Sequence, residues 1–149
     1  MINMKNVLFG LIAFISFSAC GTMSNESADQ ANQNTESPAP PQDQIAVNVD
    51  VEEFQSLIAK KQGVVLDVRT PQEYNAGHLT DCTHMDFYSS DFSQQLDQLD
   101  KNKPVYVYCK VGGRSGKTMS MLKDKGFAEV YNLDGGYDAW SKAKMPVEK

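Results

Sequence analysis

Cys109 ends a β-branched and aromatic run, PVYVYC (104–109), and KVGGRS (110–115) follows it. A thiol so placed can act as a nucleophile if its thiolate is stabilised, because the thiolate is the reactive species. Lys110, Val111, Gly112, Gly113, Arg114 and Ser115 form a loop whose amide N–H groups can curl inward. Gly112 and Gly113 are expected to allow backbone geometry that a side chain would forbid. A helix opening directly after the loop adds roughly half a positive charge at its N-terminus. Between Lys101 and Lys123 there are six basic residues and no acidic one, although the whole chain carries a formal charge of −5. The segment reads as a cationic island around a single thiol. Lowering a thiol pKa from about 8.5 to about 6.5 takes roughly 2.7 kcal/mol of thiolate stabilisation. The amide cup, the helix dipole and Arg114 are expected to supply it, and such a cradle also holds an anionic substrate.

The elements that must position this loop alternate strand and helix. Val47–Val51 opens the sequence of elements, and Asp50 can cap a helix with Val51, Phe54, Leu57 and Ile58 on one face. Gly63 ends it, and VVLDV (64–68) is an apolar run of strand length. Thr70-Pro71-Gln72-Glu73 reads as a capping box with proline in the first turn. A weaker strand is expected over 82–87, and a helix with Phe92, Leu96 and Leu99 on one face. PVYVYC is the strongest strand signal. A helix is expected from Ser115 to Lys125 with Gly126 as its C-cap, then a strand over VYNL (130–133) and a helix from Tyr137 to Ala143. This alternation predicts an α/β fold with a largely parallel sheet covered on both faces. In such sheets ligands sit beyond the carboxyl ends of strands, which is where Cys109 lies.

Three blocks, DVRTPQEYNAGHL (67–79), CKVGGRS (109–115) and LDGGYDAW (133–140), resemble the rhodanese domain family in order and separation. The resemblance covers essentially all of 45–149. It implies a five-stranded parallel sheet with helices on both faces, and sulfur transfer through a Cys109 persulfide. The implied cycle is ping-pong. Cys109 takes the outer sulfur of thiosulfate or another sulfane donor and hands it to cyanide, a thiol or a sulfur-relay protein. Amides of 110–114 would hold the anions, Arg114 would close the cradle, and neither a metal nor an organic cofactor would be required. The loop is C-x4-R, whereas phosphatases with this fold use a loop one residue longer. The shorter loop suggests sulfane sulfur over phosphate and so speaks against the first alternative, a rhodanese-like phosphatase or arsenate reductase; a non-catalytic anion- or protein-binding module on the cell envelope is the second. Where the family often reads GHIPGA, this chain reads GHLTDC (77–82).

Other residues have plainer readings. Lys110 is either a surface charge or a determinant of donor preference. Arg114 either faces the anion or pairs with a carboxylate at the sheet edge. Glu73 completes a helix cap, Asp67 and Arg69 form a structural ion pair, His78 holds a turn, and His84 has no assigned partner. Met119, Phe127, Tyr137 and Trp140 are core candidates. Cys82 is a small buried residue or, alternatively, a thiol that resolves the Cys109 persulfide or bonds to Cys109.

Ahead of these elements the chain changes character. Lys5 precedes an uncharged stretch of 11 residues, Val7–Phe17, too short for the roughly 20 residues that cross a bilayer. Ser18-Ala19-Cys20 resembles a lipobox, which implies a signal peptide over 1–19 and lipidation at Cys20; ordinary cleavage after Gly21 is the rival. Residues 20–44, polar and proline-bearing, are expected to be a disordered tether. The protein is thus expected to be exported to a bacterial cell envelope or periplasm and held to the membrane by lipid. Residues 45–149 carry 13 basic and 15 acidic residues. Over the whole chain 14 Lys+Arg stand against 19 Asp+Glu, and that net charge of −5 argues against nucleic acid as a partner. Cysteines at 20, 82 and 109 lack both the number for a disulfide framework and the C-x2-C spacing of a zinc site.

Overall fold

In the computed structural model, which describes residues 43–149, the apolar runs become the middle of a sheet. The strands are β1 (Ile45–Val49), β2 (Val64–Asp67), β3 (Cys82–His84), β4 (Val105–Tyr108) and β5 (Glu129–Leu133). Between and after them run α1 (Val51–Ile58), α2 (Pro71–Asn75), α3 (Phe92–Leu96), α4 (Gly113–Asp124) and α5 (Gly136–Lys142). The sheet order is β1-β5-β4-β2-β3, and every pairing is parallel. β4 is central and buried throughout, which is why its sequence shows no polar alternation.

Alternation along each strand divides the core in two. Leu66, Val107, Cys109 and Val130 face one side, where Phe92, Leu96 and Leu122 of α3 and α4 cover them. Val65, Tyr106, Tyr108 and Leu133 face the other, against Phe54 of α1 and Trp140 of α5. Phe54 meets Tyr106 and Trp140 edge-on at 6.2 and 6.1 Å. Each such fully buried side chain contributes about 1.5–3 kcal/mol of burial free energy.

Several boundaries differ from the sequence reading. β1 begins at Ile45 and stops at Val49, so that Asp50 can accept the Glu53 amide at 2.9 Å as the N-cap of α1. β3 is only Cys82–His84; past Met85 the chain leaves the sheet and Phe87 packs on Phe92 at 5.3 Å. α3 closes at Leu96, and Leu99 reaches the same apolar cluster from the turn beyond it. α4 opens two residues earlier than expected, at Gly113, and its C-cap is Lys125, with Gly126 following at φ +86°. The leader, Cys20 and the tether as far as residue 42 lie outside the described residues; Gln44, expected at the end of the tether, is instead fixed to the domain, its Nε2 donating to Lys123 O and Phe127 O at 3.0 Å each.

Candidate active site

Cys109 sits one residue past β4 and is 1% exposed. Its Sγ lies 3.2 Å from the Gly112 amide, which donates to it. Gly112 takes φ +96° as the residue before α4, a conformation that favours glycine. Gly113 corrects the sequence reading: it has no positive φ, and a Cβ there would meet nothing within 4 Å. The Ser115 hydroxyl donates to Gly112 O at 3.2 Å, and its one proton reaches the sulfur only when turned from that carbonyl. Burial pushes the Cys109 thiol up, but the donors of Ser115 (hydroxyl and amide), Val111 and Gly112 outweigh it and bring the thiol below its ordinary range. Of the expected amide cup, the Gly112 amide is the one hydrogen-bonded to Sγ among the described residues.

A second helix holds the loop from behind. The Tyr137 and Asp138 amides in the first turn of α5 donate to Cys109 O at 2.8 Å and Lys110 O at 3.0 Å. This approach leaves no room for a side chain at Gly136, where a Cβ would lie 2.4 Å from Cys109 O. The Gly135-Gly136 pair, at φ +68° and +57°, is thus fixed by close contact as well as by its turn.

Two of the cations around the loop are paired. Arg114 donates from Nη1 to Glu73 Oε2 at 2.7 Å and from Nη2 to Glu73 Oε1 at 2.8 Å. The same carboxylate accepts from the Thr70 amide and hydroxyl at 2.9 and 3.0 Å, completing the capping box that the sequence predicted. The Arg114 guanidinium, ahead of the Thr70 bonds, holds the Glu73 carboxyl down to about 2. Lys110 Nζ pairs with Asp138 Oδ1 at 3.1 Å, both side chains half exposed. Glu73 and Asp138 went unread as parts of this site because they lie 41 and 28 residues from their partners. Tyr88, 69% exposed, was missed for the same reason; Arg114 Cζ lies 5.8 Å from its ring centre.

The remaining candidates gather on the opposite face. Asp67 and Arg69 form a buried pair, with Arg69 Nη2 at 2.6 Å from Asp67 Oδ2. Tyr108 donates to the same oxygen at 2.6 Å and accepts from the Leu79 amide at 3.1 Å. Arg69 also donates to Gly77 O at 2.8 Å and lies 4.1 Å from the Tyr137 ring centre. Burial lowers the Arg69 pKa, but hydrogen bonding and charge at Asp67 raise it further, so the guanidinium keeps its charge. Removing one partner from such a pair typically costs about 3–5 kcal/mol. His78 stacks on Tyr74 at 4.0 Å and shares two backbone bonds with Glu148, fixing the turn as expected. His84 has a partner after all: its Nε2 lies 2.8 Å from Arg69 O.

Phe127 and Trp140 are buried, and Met119 and Tyr137 pack partly buried against the two clusters. A cavity of about 480 Å³ lined by Ile58, Val65, Leu79 and Trp140 also lies on this opposite face, away from the thiol.

Cys82 cannot serve Cys109. It pairs with Val65, which pairs in turn with Tyr106, so two strand spacings of about 4.8 Å separate Cys82 from β4. Cys109 lies three residues further along and faces the other cluster, whereas a disulfide needs Cα atoms within about 7 Å. The Cys82 thiol is pushed up by burial, with Tyr108 OH at 3.5 Å.

A family model described as Rhodanese-like domain matches residues 50–143. The chain is 32% identical over 102 residues to the thiosulfate sulfurtransferase GlpE of Vibrio cholerae, covering 68% of this chain and 94% of that protein. It is 40% identical over 88 residues to the protein of the same name from Pseudomonas entomophila, covering 58% and 78%. A rhodanese-related protein from Thermoplasma volcanium superposes with a TM-score of 0.61 at 25% identity, over 68% of this chain and 96% of that one.

Proposed function

The chain belongs to the Rhodanese-like domain family, and from that premise we propose that it is a sulfurtransferase working through a Cys109 persulfide. The observation that carries this reading is the Cys109 sulfur, held below its ordinary pKa by amides and a hydroxyl at the end of β4. Its thiolate attacks the outer sulfur of thiosulfate or of a persulfide. The S–S bond of the donor breaks and sulfite or a thiolate leaves with the electron pair. The Val111, Gly112 and Ser115 amides and the Ser115 hydroxyl receive the negative charge on the sulfur, and Arg114 closes the cup from the Glu73 side. Cyanide, a thiol or a relay protein then attacks the outer sulfur and regenerates the thiolate. The relatives named thiosulfate sulfurtransferase support the same reaction class.

Incubation with a sulfane donor, followed by intact mass measurement without reductant, should show a gain of one sulfur atom, about 32 Da, on Cys109. Cys109→Ser should fold and lose both the adduct and turnover. Retained turnover in that variant, or hydrolysis of p-nitrophenyl phosphate in place of sulfur transfer, would overturn the assignment.

The full chain is further proposed to be exported and lipid-anchored through Cys20. The charged start at Lys5, the short apolar run Val7–Phe17 and Ser18-Ala19-Cys20 support this.

A further inference from the structure

The charge around Cys109 in space differs from the charge around it in sequence. Of the six cations between Lys101 and Lys123, Lys101 and Lys103 precede β4 and Lys123 lies in the last turn of α4. Cys109 lies at the other end of both elements. That leaves Lys110, Arg114 and Lys117 near the loop. Arg114 is held by both oxygens of Glu73, and Lys110 is paired with Asp138, so two positive and two negative charges cancel at the mouth. Lys117 is exposed one turn along α4.

What the mouth presents instead is apolar. Val111, at the tip of the loop, is 62% exposed, and Tyr88 stands 69% exposed beside Arg114. A dianion approaching this rim is steered by Lys117 alone of the three nearby cations, because a field that attracts it must come from uncompensated charge. A small organic group gains contact with Val111 and the Tyr88 ring.

We propose that Glu73 and Asp138 are specificity-determining residues: by cancelling Arg114 and Lys110 they direct the site toward low-charge organic persulfides and away from dianionic thiosulfate. The inference rests on the sulfurtransferase reading above and narrows its donor class. In the favoured step the Cys109 thiolate attacks the terminal sulfur of R–S–SH. The donor S–S bond breaks, R–S⁻ departs with the electron pair, and Cys109–S–SH forms with the proton retained on the terminal sulfur. No outside oxidant or reductant is needed.

The test compares the full-length protein with its Asp138→Asn and Glu73→Gln variants, using thiosulfate and a persulfide whose alkyl group carries no charge as donors and cyanide as the common acceptor. The wild type should show the higher kcat/KM with the alkyl persulfide. Asp138→Asn, a change on an exposed helix surface, should raise the thiosulfate-to-persulfide ratio of kcat/KM roughly five-fold at low salt. That gain should shrink toward unity at about 0.5 M salt, where charges are screened within a few ångströms. Glu73→Gln should move the ratio in the same direction. A wild type that prefers thiosulfate, or ratios unmoved by Asp138→Asn, would overturn the inference while leaving sulfur transfer standing. No sulfur adduct on Cys109 with either donor would overturn the underlying reading instead.

Discussion

The reactivity of Cys109 is decided by two opposed effects. The site removes the sulfur from water, which favours the neutral thiol, and surrounds it with the Gly112, Val111 and Ser115 donors, which favour the thiolate. The donors prevail. Alkylation by iodoacetamide should therefore rise with pH through an inflection below the ordinary thiol value of about 8.5 and plateau above it. Ser115→Ala should move that inflection upward; an inflection at or above 8.5 in the wild type would contradict the hydrogen-bonded thiolate. The linkage has a definite sign. A depressed thiol pKa adds stability above the unfolded-state value, and that stability is lost as pH falls through the folded-state value. Glu73 behaves likewise in acid: its contribution is full above its usual carboxylate range and disappears as pH approaches about 2.

At the level of elements, the site is a meeting of β4, α4 and the first turn of α5, and the last of these is the least forgiving. Gly136→Ala would place a Cβ 2.4 Å from Cys109 O, at a backbone φ of +57°. Strain of this kind costs about 1–3 kcal/mol. The substitution should lower the denaturant midpoint accordingly and slow Cys109 alkylation by displacing the loop. Gly113→Ala is the matched control: with open space and no positive φ it should be neutral or stabilising by up to about 1 kcal/mol. Equal loss in both variants would refute the close-contact account.

The sequence made β2, β4, α1 and the α2 capping box readable, because each carries a local signal: an apolar run, a 3.6-residue stripe, a Thr-Pro-x-Glu start. β3 was read too long because Met85 and Phe87 are apolar for packing rather than for pairing. Of the site, the thiol and its amides were legible from one contiguous segment. The Arg114–Glu73 and Lys110–Asp138 pairs were not, since they join α2 and α5 to a loop that is distant in the chain.

On the scale of the whole molecule, the sheet separates two kinds of buried chemistry. One face keeps a thiol and its donors; the other keeps Asp67, Arg69 and Tyr108 in a bonded network that ties β2 and β4 to the turn at Gly77 and to α5. The anchor proposed at Cys20 concerns the full chain. In detergent phase separation of cells expressing it, the wild type should enter the detergent phase and Cys20→Ser the aqueous phase. Aqueous wild-type protein would remove the anchor.

The placement of Cys82 across the sheet has one more outcome. Among the described residues, a sulfur atom resting on Cys109 meets no second thiol there that could cyclise with it and expel hydrosulfide. How long that cargo dwells is therefore governed by collisions with acceptors from outside, so discharge should follow their concentration.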